Sequence, residues 1–139
     1  MKFTRTASAN WKGTGMDGSG TVTTESNILN NTPSSFKARF EDGTGTNPEE
    51  LIATAHSACF TMQLSFLLSE EGYIPGNLDA EARVTFEDGN ITNIDLNLEG
   101  TVDGIDKETF DKIAQKAREI CPISKLFNTT ITLTTSLVG

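Results

Sequence analysis

Asn47-Pro-Glu-Glu-Leu-Ile-Ala-Thr-Ala-His-Ser-Ala-Cys59-Phe-Thr-Met62 opens a long helix with a cysteine near its middle. Asn47 is a preferred N-cap, Pro48 suits the first helical position, and Glu50 falls where a capping box places its acid. Gly72 and then Pro75 mark the far end. Between Leu51 and Leu68 there is no Asp, Glu, Lys or Arg. About twenty-five helical residues span roughly 37 Å. A domain of this length has a radius of gyration of about 14 Å, so its diameter is close to the helix length. A helix that crosses the whole domain and shows almost no charge to water reads as a buried one.

The rest of the chain is read as what surrounds that helix. Its 139 residues suit a single domain, residues 1–139, with a core that needs no staples. A formal charge of −8 argues against nucleic acid and anionic membrane surfaces as partners. The uncharged run has the length of a membrane span, but Thr54, His56, Ser57, Thr61, Gln63 and Ser65 make it too polar for a lone one. Met1-Lys-Phe-Thr-Arg-Thr is followed by no apolar stretch of the kind a signal peptide carries, and the expectation is a cytoplasmic protein with no membrane partner.

Three strands are expected before the helix. Phe3, Ala7, Ala9 and Trp11 alternate with polar residues, a glycine-rich turn leads to the β-branched run Thr21-Val-Thr-Thr-Glu-Ser, and Ser35-Phe-Lys-Ala-Arg-Phe-Glu41 alternates again. In that third segment Arg39 falls on the face opposite Phe36, Ala38 and Phe40. After the helix, Leu78, Ala80, Ala82, Val84 and Phe86 alternate with polar residues up to an Asp88-Gly89 turn, and Ile94, Leu96, Leu98 and Val102 carry the return strand. Asp106 caps an amphipathic helix whose stripe of Phe110, Ile113, Ala114, Ala117 and Cys121 ends at Pro122, and Ile131, Leu133 and Leu137 mark a last strand. The order βββ-α-ββ-α-β predicts an α+β fold with antiparallel sheets around the buried central helix. Six strands cover one side of an uncharged helix but not all of it, so a second copy, packed helix on helix, is expected to complete a homodimer.

Cys59 and Cys121 are the whole thiol complement, and two small buried hydrophobes are the plain reading of them. A nucleophilic cysteine must be a thiolate. Cys59 lies about three turns into its helix, too far for the helix N-terminus to ionise it, so it needs a cation. The candidates are Arg39, Lys37, Lys125, Arg83 and His56. His56 precedes Cys59 by three residues, which admits a Cys–His dyad, and His56, Cys59 and Cys121 admit a zinc site short of a fourth ligand. Both are weaker readings than a satisfied core histidine. Capping accounts for Glu50 and leaves Glu49 available to hold an arginine.

Thr46-Asn-Pro-Glu-Glu-Leu-Ile-Ala-Thr-Ala-His-Ser-Ala-Cys59-Phe and Cys121-Pro-Ile-Ser-Lys125, with Trp11-Lys-Gly, Gly20-Thr-Val-Thr-Thr-Glu-Ser and Arg39-Phe-Glu, resemble the OsmC/Ohr superfamily over essentially the whole chain, closest to its OsmC branch. The resemblance implies an intertwined dimer with active sites at the subunit interface. It implies a thiol peroxidase for organic hydroperoxides, reduced by an external dithiol and needing no metal or bound cofactor. On it, Cys59 is similar to the peroxidatic cysteine and Cys121 to the resolving one. Arg39 is similar to the arginine that stabilises the thiolate, and Glu49 to the carboxylate that holds it. A non-catalytic binder of apolar ligands and a thiol-based redox sensor are the alternatives. By strand alternation Arg39 reaches Cys59 only if its strand bends or its outer face meets the second subunit.

Overall fold

The computed structural model describes residues Met1–Gly139. They form two compact units, Met1–Leu51 and Ile52–Gly139, and the boundary falls near the start of the long helix.

In the first unit β1 (Ala7–Lys12), β2 (Ser19–Thr24) and β3 (Thr32–Ser34) make an antiparallel sheet in that order. Pairing of β1 with β2 runs from Ala7↔Thr24 to Lys12↔Ser19. Every β1 residue is exposed, so this sheet lacks the dry face that normally stabilises three strands. The strand expected over Ser35–Glu41 is instead a helix, α1 (Phe36–Phe40). Its residues alternate apolar and charged, but Phe36 and Phe40 are also one helical turn apart, and their ring centroids lie 4.9 Å from each other. Over so few residues the two periods cannot be told apart, and the cap decides: Ser35 Oγ accepts the Ala38 N–H at 3.1 Å. Arg39 therefore belongs to a helix, and the alternation argument about its direction falls.

The long helix α2 (Pro48–Glu70) ends as expected, with Gly72 in the left-handed region at φ 89°. In the second unit β4 (Pro75–Glu87) and β5 (Asn90–Val102) form the expected hairpin. Positive φ at both Asp88 (50°) and Gly89 (81°) matches the twist of the strands they join. β6 (Thr130–Leu137) adds to the other edge of β5, but in parallel, against the antiparallel expectation. The helices α3 (Lys107–Ile120) and α4 (Pro122–Leu126) lie between β5 and β6, and a helical crossover is what a parallel pair requires. Phe60, Leu64 and Leu68 of α2 share one core with Leu96, Leu98 and Val102 of β5 and Phe110, Ala114 and Ala117 of α3.

The expectation that α2 is buried all round is corrected. Within one chain it buries His56, Phe60, Leu64 and Leu68, every fourth residue along a single ridge. Met62 and Phe66 are 62% and 60% exposed. The helix is long and apolar enough, by length and composition, to cross a membrane; the other way to cover its uncharged surface is with protein.

Candidate active site

Both cysteines are free, Cys59 half-buried and Cys121 fully buried. Pro122 interrupts the helical run, so Cys121 serves at once as the C-cap of α3 and the N-cap of α4. Its N–H bonds the Ala117 carbonyl at 2.9 Å, and its carbonyl accepts the Lys125 N–H at 3.0 Å. Held from both sides, the residue turns its side chain into the core against which Cys59 packs, near enough for the Cys121 thiol to act on the ionisation of Cys59. The Ile123 N–H acts on the Cys59 thiol as well. Burial pushes the Cys59 thiol up from the ordinary cysteine value. The Cys121 thiol pushes it further, and the Ile123 N–H pulls the other way. No cation figures among these influences.

His56 is also fully buried. Its Nε2 is 2.7 Å from Ser124 Oγ, and its ring meets Phe127 edge-on with centroids 5.6 Å apart. Nδ1 is buried without a hydrogen-bond partner. Burial lowers the pKa of the ring, which favours neutral imidazole. The ring is thus bonded to Ser124 and makes no hydrogen bond to Cys59, so the Cys–His dyad is not formed. Nor do His56, Cys59 and Cys121 converge as metal ligands.

Arg39 and Glu49 meet in the first unit, and the local chain explains why. Asn47 caps α2 with its Oδ1 on the Glu50 N–H at 2.8 Å, and donates from Nδ2 to the Ala38 carbonyl of α1 at 3.1 Å. One side chain therefore fastens the two helices together, with Arg39 opposite the first turn of α2. Arg39 Nε donates to Glu49 Oε1 at 2.7 Å, and the guanidinium carbon stands 5.1 Å from the centre of the Phe40 ring. The Glu50 carboxylate accepts from the Thr46 hydroxyl at 2.8 Å. Arg39 also borders a groove of about 490 Å³ whose walls include Trp11, Met16, Phe36, Phe40 and Pro48.

The four residues singled out from sequence thus form two pairs, Cys59 with Cys121 and Arg39 with Glu49. Sequence reasoning missed Ser124, the Ile123 N–H and the apolar groove. The groove had a faint signal in Trp11, Met16 and Phe40, large apolar residues that a chain of this size would ordinarily bury and that here stay 43%, 69% and 47% exposed. Ser124 had none.

The profile of the family described as OsmC-like protein matches residues 41–136. The chain is 46% identical over 137 residues to Peroxiredoxin OsmC of Escherichia coli, covering 96% of each. It is 30% identical over 110 residues to organic hydroperoxide resistance protein OhrB of Bacillus subtilis, covering 76% of this chain and 79% of that one. Its fold is that of an OsmC-like protein of unknown function from Vibrio cholerae, with a TM-score of 0.74 at 15% identity over 96% of this chain and 99% of the other. The chain belongs to the OsmC-like family.

Proposed function

We propose that the protein is a thiol-dependent hydroperoxide reductase that prefers organic hydroperoxides, with Cys59 peroxidatic and Cys121 resolving. The observation that carries this reading is the neighbouring pair of free thiols, one half-buried on α2 and one buried at the α3–α4 break. The Cys59 thiolate attacks the terminal peroxide oxygen and the O–O bond breaks. Cys59 becomes a sulfenic acid, and the leaving alkoxide takes a proton to become an alcohol. Cys121 then displaces hydroxide from the sulfenic sulfur, giving the disulfide and water. An external dithiol returns both thiols by exchange and leaves as its own disulfide.

Burial works against the first step, because it holds Cys59 protonated. Arg39 is proposed to supply the missing cation in the assembled protein, with Glu49 fixing the guanidinium. The apolar groove beside Arg39 suits the organic body of the peroxide. The assembly is proposed to be an intertwined homodimer. The uncharged, exposed side of α2 and the fully exposed β1 support it, since both are surfaces that a second copy would cover. A bilayer is the poorer occupant, because Thr54, Ser57, Thr61, Gln63 and Ser65 stud the same helix. A disulfide that forms only transiently in the cycle suits the reducing cytoplasm.

The test is turnover of cumene or tert-butyl hydroperoxide with a dithiol reductant. Cys59→Ser is expected to abolish it. Cys121→Ser is expected to consume about one equivalent of peroxide and then stop. Undiminished turnover in Cys59→Ser would overturn the reading.

A further inference from the structure

The helix α4 has five residues, too few to hold helical shape in water by itself. Yet it carries what faces Cys59: Cys121 is its N-cap, and the Ile123 N–H lies in its first turn. Something must hold it on α2. Ile123 contributes by packing against the core. The polar tie is Ser124, the one buried residue of α4, whose Oγ lies 2.7 Å from His56 Nε2. The spacing is symmetrical. His56 precedes Cys59 by three residues on α2, and Cys121 precedes Ser124 by three on the other side. The thiol pair and the His–Ser pair are therefore neighbouring rungs between the same two segments. With Nδ1 unpartnered, Ser124 supplies the one hydrogen bond of a buried imidazole. Losing it leaves both ring nitrogens unsatisfied, which costs more than a lost neutral hydrogen bond between exposed groups.

We propose that His56 and Ser124 are positioning residues for the disulfide step: their bond clamps α4 to α2 and keeps the Cys121 sulfur within bonding reach of Cys59. This rests on the reading of Cys59 and Cys121 as a redox pair. Neither His56 nor Ser124 exchanges protons or electrons in the step. A disulfide tolerates only a narrow separation, with Cβ atoms about 3.5–4.5 Å apart, so small drifts of an unclamped α4 dilute one thiol as seen by the other. The competing fate of the sulfenic acid is attack on a second hydroperoxide, which yields sulfinic acid and one more alcohol.

The full-length protein and its variants are equilibrated with reduced and oxidised glutathione, quenched in acid, alkylated and weighed for the Cys59–Cys121 disulfide. Ser124→Ala and His56→Ala are each expected to lower the effective concentration of the thiol pair about fivefold or more. A tenfold loss would be about 30 mV for this two-electron couple. Ser124→Thr keeps the hydroxyl, and His56→Gln reaches as far as Nε2; both are expected to stay within about twofold of wild type. Under excess cumene hydroperoxide, the sulfinic fraction formed per turnover is expected to rise by the same factors. Should an alanine variant fail to fold, His56→Asn, which stops at the Nδ1 position, replaces it and is expected to lose what His56→Gln keeps. Wild-type values in both readouts for folded Ser124→Ala or His56→Asn overturn the clamp alone. A wild-type protein that forms no Cys59–Cys121 disulfide in glutathione overturns the redox-pair reading and the clamp with it.

Discussion

Replacing Arg39 with glutamine removes one positive charge and very little structure. Its side chain is 38% exposed and its partner Glu49 14%. A part-exposed ion pair contributes about 1 kcal/mol, so the variant is expected to fold. On the proposed role of Arg39, the consequence falls on Cys59. A cysteine of ordinary pKa, about 8.5, is roughly 3% thiolate at neutral pH. Burial pushes Cys59 above that ordinary value, and the Ile123 N–H only partly opposes it. A cation within about 4–6 Å lowers a thiol's pKa by one to three units, so its loss reduces the thiolate fraction at neutral pH about tenfold or more. The sign fixes the shape of the profile. The wild-type thiol ionises at lower pH than the variant's, so the deficit is constant below both pKa values. It shrinks as pH rises through them and vanishes above both. The assay is the rate of Cys59 alkylation by iodoacetamide in a Cys121→Ser background from pH 5 to 10, paired with the first-turnover rate on cumene hydroperoxide. Arg39→Gln is expected to slow both about tenfold or more at pH 7, with the gap to the parent narrowing toward pH 10. Superimposable alkylation profiles would refute the assignment of Arg39 as the activating cation.

Three further outcomes follow from the packing and the ionisable groups. Phe60 is fully buried in the core, so Phe60→Ala is expected to cost about 3–5 kcal/mol in urea unfolding. Phe66→Glu and Met62→Lys place charge on the exposed side of α2 and are expected to shift the sedimentation coefficient from dimer to monomer at micromolar concentration, with little change in far-UV circular dichroism. Burial holds the folded-state pKa of His56 below its ordinary 6.5, so the unfolded chain binds the extra proton first. The stability this contributes is present above 6.5 and is lost as pH falls toward the folded value. The urea midpoint of wild type is expected to drop between pH 7 and 5, and that of His56→Gln to stay flatter. Asp95 and Asp106, which hydrogen bonds hold below the usual carboxylate range, and Asp111, which burial raises but Lys107 and Thr135 together lower further, act in the same direction only at lower pH.

Much of this was legible in the sequence where a local rule had no competitor. The Asn47–Pro48 entry to α2, the Asp88–Gly89 hairpin and the Asp106 cap each rest on one or two residues whose chemistry admits few conformations. The segment around Arg39 was misread because Phe36, Ala38 and Phe40 satisfy a strand period and a helix period equally, and the capping hydroxyl of Ser35 carried the information. β6 was misread because its own residues say nothing about direction; the crossover through α3 and α4 does. The cysteines were marked by family likeness and by Pro122. The contact between them, and the His56–Ser124 bond beside it, join residues so far apart in the chain that spacing carries no sign of them. The burial of α2 was half right: uncharged residues ring the helix, but one chain covers only a single ridge.

The central claim is that Cys59 and Cys121 form one redox couple, and the most direct measurement is the mass of the reduced protein after one equivalent of cumene hydroperoxide. The expected result is a loss of two hydrogens per chain, with both thiols gone and a single Cys59–Cys121 peptide after digestion under non-reducing conditions. Two titratable thiols remaining after the peroxide has been consumed would contradict it.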